Sequence, residues 1–262
     1  MFTTVNSRKT FYSNGNGKHQ ADQPNIVFLH GAGMDHTVFV MPARYFARHN
    51  YNVYAFDLPG HGRSAGEPCK SIDEIVDWII EAFKKLEINT AAIVGHSMGS
   101  LIGLNLAARF PNKVRKLALL GTSTPMRVSD VLLDSAKVNS PDAIDMANNW
   151  SHSSYGQMGG NETPGICMTM GGQRLLERAK ENVFFTDLTA CNEFHDGAEL
   201  AAKINAETLV IVGNQDKMTS PINALKVAEL IPNSRVCRLA PCGHSMLSEQ
   251  PNATLDALRT II

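Results

Sequence analysis

The stretch GHSMG, Gly95 to Gly99, follows the apolar run AAIV and precedes the helical pattern LIGLNLAARF. A chain that turns sharply from a buried strand into a helix forces its central residue into a strained backbone conformation. It also needs small residues two positions before and two positions after that residue. The two glycines meet this need and leave Ser97 exposed at a helix N-terminus, where negative charge is stabilised. This context favours a nucleophile at Ser97, and the alternative is an ordinary turn residue.

The composition is that of one α/β domain with a full core. The chain has 262 residues, of which 44% are hydrophobic, and its formal net charge is −1 at pH 7. That balance gives no electrostatic reason to expect nucleic acid or an anionic membrane as a partner. No run of about 18 apolar residues occurs, so we expect no membrane span. The five cysteines form no CxxC pair, which favours free thiols and a cytoplasmic location.

Short apolar runs alternate with helical patterns along most of the chain. The runs lie at 26–30, 53–57, 91–95, 116–121, 208–213 and 236–240. Continuous apolar runs of this kind are typical of strands in a parallel sheet that helices cover on both faces. The helices predicted between them lie at 71–86, 99–109, 221–230 and 252–262. The predicted fold class is therefore α/β, with a mostly parallel, doubly covered sheet. A β-hairpin that turns at NGNG, 14–17, is predicted near the start.

The interval between the strands that end at Gly121 and begin near Thr208 breaks this alternation. Helical patterns occupy it at 128–138, 141–150, 171–181 and 184–192, and a glycine-rich loop at 151–165 divides them. We predict a helical cap or lid insertion at 124–205, and a core made of 1–123 and 206–262. Whether the loop at 151–165 is a mobile lid stays open.

The cap is expected to choose the substrate, because it should cover Ser97. Methionine and aromatic side chains form adaptable apolar walls. We predict that Met146, Trp150, Met158 and Met170 bind the substrate. The alternative is that these side chains belong to the cores of the helices.

Four motifs stand in order along the chain, each just after a predicted strand. They are HGAGMD at 30–35, GHSMG at 95–99, GNQDKMTSP at 213–221 and APCGHSMLSEQP at 240–251. Over roughly residues 26 to 250, this order resembles the serine-triad branch of the α/β-hydrolase family. The resemblance implies the α/β-hydrolase fold, and it specifies the substrate much less closely.

The resemblance also implies roles for two further residues. A serine hydroxyl needs a base to take its proton, and His244 has a position similar to that of the family's catalytic histidine. In the family the orienting acid lies between the serine and the histidine along the chain, and Asp216 has that place. The alternatives are a surface-loop histidine at 244 and an Asx-type turn at 216.

Three other residues near these motifs are interpreted as structural. Asp57, in DLPGHGRS at 57–64, precedes Ser97 in the chain and lies on another strand, so we expect it to anchor its own turn. His96 adjoins Ser97, but neighbouring side chains diverge at such a turn. His30 ends a strand and is expected to hold the following loop through hydrogen bonds.

Acyl transfer builds negative charge on the former carbonyl oxygen and needs two preset N–H donors. The N–H of Met98, just after the nucleophile, is expected to be one donor. The segment HGAGMD resembles the family's oxyanion loop, and Ala32 is the predicted second donor, with Gly33 as the next choice. Taken alone, HGAG could equally be a plain glycine turn.

Ser97 stands where the haloalkane dehalogenases and epoxide hydrolases have an aspartate and the dienelactone hydrolases have a cysteine. We therefore do not expect those activities. No HExxH motif occurs, and no glycine-rich nucleotide motif follows the first strand, so we expect no metal and no cofactor.

The sequence therefore predicts a serine hydrolase, a carboxylesterase that cleaves esters of small to medium apolar acyl or alkyl groups through an acyl-enzyme. A C–C bond hydrolase of ring-cleavage products or a haloperoxidase-like perhydrolase is the alternative among enzymes. A ligand receptor on the same fold is the non-enzymatic alternative. The expected partner is a small-molecule ester, and the protein is expected to be a monomer or a homodimer.

Overall fold

Eight strands form one sheet in the computed structural model, which describes residues 1–163 and 165–262. Pro164, within the loop predicted at 151–165, lies outside the described residues. The strands are β1 Phe2–Val5, β2 Arg8–Ser13, β3 Asn25–Leu29, β4 Asn52–Phe56, β5 Ala91–His96, β6 Val114–Leu120, β7 Glu207–Gly213 and β8 Ser234–Leu239. Their order in the sheet is β1-β2-β4-β3-β5-β6-β7-β8. The pairs from β4 to β8 are parallel, whereas β1–β2 and β2–β4 are antiparallel. The predicted α/β class with a mostly parallel sheet is confirmed.

Helices cover both faces of the sheet. They are α1 Val40–Arg48, α2 Ile72–Lys85, α3 Met98–Arg109, α4 Asp130–Lys137, α5 Pro141–Ser151, α6 Ser154–Gln157, α7 Met168–Glu177, α8 Val183–Asn192, α9 Gly197–Ala201, α10 Pro221–Leu230, α11 Met246–Glu249 and α12 Pro251–Arg259. Two short 3₁₀ helices lie at His36–Phe39 and Pro111–Lys113. Within the described part of the chain, none of the helices is long and apolar enough to cross a membrane.

The sheet separates two apolar layers, as the continuous apolar strands require. One layer contains Val76 of α2, Leu101 of α3 and Val227 of α10. The other contains Phe46 of α1 and Leu258 of α12. Because the central strands β3, β4, β5 and β7 are buried on both faces, groups of the central sheet can reach solvent only near the strand ends.

The hairpin near the start turns earlier than predicted. Val5 pairs with Arg8, so the loop between β1 and β2 consists of Asn6 and Ser7, not of residues 14–17. Asn6 and Ser7 both have positive φ, at 48° and 62°, the backbone that a tight two-residue hairpin loop needs. The prediction of a turn at 14–17 as the hairpin loop is therefore wrong.

Between β6 and β7, the described part of the chain forms the helices α4 to α9. Their apolar side chains form a cluster that includes Leu132, Leu176 and Leu188. Ala32 and Met218 also pack in this cluster. These two residues follow β3 and β7, so the helices lie over the carboxyl ends of these strands.

Candidate active site

The turn from β5 to α3 places Ser97 at the start of the helix, with φ 55° and ψ −120°. A Cβ at Gly95 would approach the Gly99 carbonyl oxygen to 2.0 Å, and a Cβ at Gly99 would approach the Leu29 carbonyl oxygen to 2.0 Å. Neither distance is possible for a real side chain, so the close approach of the backbone segments depends on both glycines. The side chain of Ser97 is half-buried.

His244 and Asp216 meet in a buried pair beside this turn. His244 Nδ1 lies 2.8 Å from Asp216 Oδ2, and the two residues are only 2% and 4% exposed. The carboxylate accepts a hydrogen bond from the N–H at Nδ1, which leaves Nε2 as the ring nitrogen with the free lone pair. Burial alone would raise the pKa of Asp216. The charge and hydrogen bond of His244, together with donors from Thr219, hold that pKa below its usual value.

The loop after β7 fixes the Asp216 carboxylate in one orientation. Oδ1 accepts hydrogen bonds from the N–H groups of Met218 and Thr219, each at 2.8 Å. Oδ2 accepts one from the Thr219 hydroxyl at 2.8 Å, in addition to that from His244. The oxygen that faces His244 is therefore distinct from the oxygen that the backbone holds.

Ser97 and His244 lie close together at the carboxyl ends of the central strands. The Ser97 N–H donates to the carbonyl oxygen of Leu120 at 2.9 Å. The next residue, Gly121, has φ +58°, and a Cβ there would lie 2.8 Å from His244 Cε1. Among the described residues, no hydrogen bond yet joins the Ser97 hydroxyl to His244 Nε2. The structure thus forms the His244–Asp216 pair and brings Ser97 beside it.

His96 supports the backbone of His244. Its Nε2 donates to the His244 carbonyl oxygen at 2.9 Å, and the two ring centroids are 4.9 Å apart. Its Nδ1 is buried and has no partner among the residues that the structure describes. Burial and the neighbouring His244 lower the pKa of His96 to about 3, so the ring is neutral.

The loop after β3 offers one free N–H at the predicted place. The Gly33 N–H donates to Asp187 Oδ2 at 2.8 Å, so it is already occupied. The Ala32 N–H has no acceptor within residues 1–163 and 165–262. Met98 begins α3, where the first N–H groups of a helix have no intrahelical acceptor. Two free N–H groups therefore flank the Ser97 turn, from Ala32 and Met98.

Asp57 is fully buried and is held by its own loop and by the 3₁₀ helix that begins at His36. Oδ1 accepts from the backbone N–H and Nδ1 of His36 at 2.8 and 2.7 Å, and Oδ2 accepts from the Arg63 N–H at 2.8 Å. Asp35, His36 and Asp57 offer atoms within 4.8 Å of one another, close enough for a metal ion. Their oxygens already accept hydrogen bonds from protein groups, so the cluster has the character of a turn anchor.

The four cap residues predicted to bind substrate lie in different surroundings. Met146 and Trp150 are half-buried and pack in the cluster that contains Ala32 and Met218. Met158 is 81% exposed and Met170 is 47% exposed. A mostly apolar pocket of about 580 Å³ lies alongside, between the insertion and the core. Its lining includes Met34, Met41, His96, Met168, Ser245 and Leu247.

Asp187 of α8 is 1% exposed and was not among the predicted site residues, because it lies far from the motifs in the sequence. Its carboxylate pairs with Nε2 of His61 at 2.7 Å. The available signal was an acidic residue within the apolar helical stretch VFFTDLTAC. The identity of its partner could not be read from the sequence.

Known hydrolases are similar to this chain in sequence or in structure. The (E)-2-((N-methylformamido)methylene)succinate hydrolase of Acinetobacter baylyi is 34% identical over 102 residues, which is only 38% of this chain and 38% of that enzyme. The 2-hydroxy-6-oxononadienedioate/2-hydroxy-6-oxononatrienedioate hydrolase of Burkholderia vietnamiensis is 27% identical over 84% of this chain and 80% of that enzyme. The enol-lactonase of Burkholderia xenovorans superimposes with a TM-score of 0.87, at 20% identity, over 99% of this chain and 98% of that chain.

The sequence model of the alpha/beta hydrolase fold matches residues 24–171 and 134–251, well over half of the chain. At 20% identity, the superposition on the enol-lactonase bears on the fold alone, and its TM-score of 0.87 agrees with this assignment. The chain therefore belongs to the alpha/beta hydrolase fold family.

Proposed function

We propose that this protein hydrolyses carboxylic esters through an acyl-enzyme formed on Ser97. The buried pair of His244 and Asp216, 2.8 Å apart beside the strained serine turn, is the observation that carries the proposal. A base that a carboxylate holds in one tautomer is what a serine hydroxyl needs to become a nucleophile.

The first half of the reaction forms the acyl-enzyme. Rotation about the Cα–Cβ bond of Ser97 brings Oγ to His244 Nε2, a contact that often tightens only when substrate binds. Oγ attacks the ester carbonyl carbon while Nε2 takes the hydroxyl proton. The tetrahedral intermediate then collapses, the bond to the alkoxy oxygen breaks, and Nε2 returns the proton to the leaving alcohol. Asp216 stays ionised and stabilises the imidazolium between these transfers.

The second half releases the acid. A water molecule gives a proton to Nε2 and attacks the acyl carbon, the bond to Ser97 Oγ breaks, and Oγ recovers the proton. In both halves the carbonyl oxygen becomes an oxyanion, which the free N–H groups of Met98 and Ala32 would stabilise. Donors of this kind contribute about 10²- to 10³-fold each to turnover. Gly33, the second choice for the donor, already donates to Asp187 and is not assigned this role.

The surroundings of the serine support an apolar substrate of small to medium size. Met146 and Trp150 are half-buried in the cluster that also contains Ala32 and Met218. Ala32 belongs to the loop after β3 and Met218 to the loop after β7, so this cluster borders the site on both sides. Apolar walls with a few polar groups are typical of small-molecule sites. Met158 and Met170 are more exposed to solvent and carry less of this argument.

A second candidate is hydrolysis of a C–C bond in a dienoic ring-cleavage product by the same residues. The 27% identity to the hydrolase of Burkholderia vietnamiensis extends over 84% of this chain and favours it. The two candidates share the serine, histidine and aspartate and differ in the bond that is cleaved.

Esters from p-nitrophenyl acetate to p-nitrophenyl dodecanoate test the proposal. We expect hydrolysis with an optimum at short or medium acyl chains. Met146→Ala should raise kcat/KM for long-chain esters relative to short-chain esters by about tenfold, since a few methylene groups in a pocket have effects of this size. Met158→Ala is the matched control, because its side chain is 81% exposed, and it should leave the ratio unchanged.

Two outcomes would contradict parts of this account. If no ester is hydrolysed and a dienoic ring-cleavage product is, the C–C candidate replaces the esterase. If Met158→Ala alters the chain-length ratio as much as Met146→Ala, the assignment of Met146 to the acyl site is wrong.

A further inference from the structure

A buried acid of the insertion touches the loop that offers the Ala32 N–H. Asp187 lies in the middle of α8 and is 1% exposed. Its Oδ2 accepts a hydrogen bond from the Gly33 N–H at 2.8 Å and another from His61 Nε2 at 2.7 Å. One oxygen thus joins three segments of the chain: α8, the loop after β3 and the loop after β4.

His61 carries a positive charge in this arrangement. Its Nδ1 lies 2.9 Å from the carbonyl oxygen of Pro59, and its Nε2 faces the carboxylate. Because both nitrogens face acceptors, both hold protons. Burial opposes the charge, but the adjacent Asp187 carboxylate raises the pKa of His61 above its usual value. Removing one partner of such a buried pair leaves the other charge uncompensated.

The neighbouring His30 is neutral and holds a different part of the same loop. Its Nε2 accepts from the Leu58 N–H at 3.1 Å, so its Nδ1 is the donor to the Gly31 carbonyl oxygen at 2.9 Å. That carbonyl oxygen also accepts from the Met34 N–H at 3.2 Å. Burial lowers the pKa of His30 to about 4, so this ring is neutral. The positive charge beside Asp187 is therefore that of His61.

These bonds fix both peptide groups that flank Ala32. The peptide before it contains the Gly31 carbonyl and the Ala32 N–H in one plane, and His30 and Met34 anchor its oxygen. The peptide after it contains the Gly33 N–H, and Asp187 anchors that group. The Ala32 N–H is therefore held from two sides: His30 and Met34 of the core fix its own peptide, and Asp187 of α8 fixes the peptide that follows.

Gly33 shows how closely α8 is seated on this loop. Its φ is +68°, and a Cβ there would lie 2.8 Å from Cδ2 of Phe184, one turn of α8 before Asp187. The loop thus contacts α8 through both the Phe184 ring and the Asp187 carboxylate, so a change at Asp187 would be transmitted directly to the Gly33 peptide.

We propose that Asp187, paired with His61, is a positioning residue that aims the Ala32 N–H at the oxyanion. This inference rests on the proposed function. It gives the insertion a part in the chemical step, in addition to the choice of substrate, because α8 holds one of the two peptides that define the donor.

Asp187→Ala tests this directly. We expect kcat to fall about 10- to 100-fold, with KM changed by less than about threefold. A misdirected donor stabilises the oxyanion of the transition state less well, but it has little effect on the binding of the substrate. The rate of Ser97 modification by an alkyl fluorophosphonate should fall in parallel, since that reaction also builds charge on the oxygen. Asp187→Asn, whose amide oxygen can still accept both hydrogen bonds, should lie between the wild type and Asp187→Ala. Asp134→Ala, at an exposed acid of α4, should match the wild type.

Circular dichroism and thermal melting establish which variants fold. A folded Asp187→Ala protein with wild-type kcat and phosphonylation rate would overturn the proposal, as would one in which KM alone rises. If Asp187→Ala does not fold, Asp187→Asn decides, with a phosphonylation rate reduced about three- to tenfold as the expected result and a wild-type rate as the contrary one. A wild-type protein that the fluorophosphonate does not modify at Ser97 would instead refute the proposed function.

Discussion

Ser97→Ala is expected to lower kcat/KM for any hydrolysed ester by at least about 10⁴-fold, since no other group can form the acyl-enzyme. The residual rate would come from binding and from the free N–H groups of Met98 and Ala32. Steady-state hydrolysis of the best p-nitrophenyl ester measures the loss. A variant that keeps more than about 1% of the wild-type activity would remove Ser97 from its role.

The fold should survive this change. The Ser97 hydroxyl forms no hydrogen bond within the described residues, so its loss should change the free energy of unfolding by no more than about 0.5 kcal/mol. Ser154→Ala, at an exposed serine of α6, is the matched control and should retain full activity. Equal melting temperatures with unequal activity would assign the effect to chemistry.

Asp216→Asn is expected to lower kcat about 10³- to 10⁴-fold through the wrong tautomer of His244. The amide oxygen must take the place of Oδ1, because that site accepts the N–H groups of Met218 and Thr219. The amide NH₂ then faces His244 Nδ1, which must accept a hydrogen bond. The proton moves to Nε2, and the ring can no longer take the proton of Ser97.

The control for this variant is Asp256→Asn, at an exposed acid that pairs with Arg259. It should leave kcat unchanged. Near-wild-type kcat in Asp216→Asn would mean that the carboxylate does not set the tautomer of His244. In that case Asp216 would be an anchor of its own turn, which is the alternative that the sequence left open.

Local signals account for what the sequence predicted well. The six apolar runs correspond to β3 to β8, with bounds shifted by a few residues, because a short apolar run buried on both faces has few alternatives to a strand. The run at 236–240 forms the edge strand β8, which is partly exposed, so the expected burial on both faces is wrong there. Helix α2 begins where the sequence places it, since Ser71 accepts from the Glu74 N–H at 3.2 Å. The glycines of GHSMG are required by contacts within the same turn and with β3, so the local pattern was enough to predict the turn.

The features that the sequence did not predict depend on contacts between distant segments. From the sequence, Gly33 was the second choice for the oxyanion donor. In the structure its N–H donates to Asp187 of α8, a contact that the sequence does not reveal. Met158 and Met146 are the same residue type on the same insertion, but only packing decides that one is 81% exposed and the other half-buried. The hairpin loop was misplaced because Asn6 and Ser7 adopt positive φ without a glycine.

Peptide mass spectrometry after reaction with a fluorophosphonate identifies the nucleophile. We expect one stoichiometric label per chain on Ser97, lost in Ser97→Ala and strongly slowed in Asp216→Asn. A label on another residue, such as the nearby Ser100 or Ser245, would contradict the claim that Ser97 is the nucleophile. So would a folded protein that takes up no label.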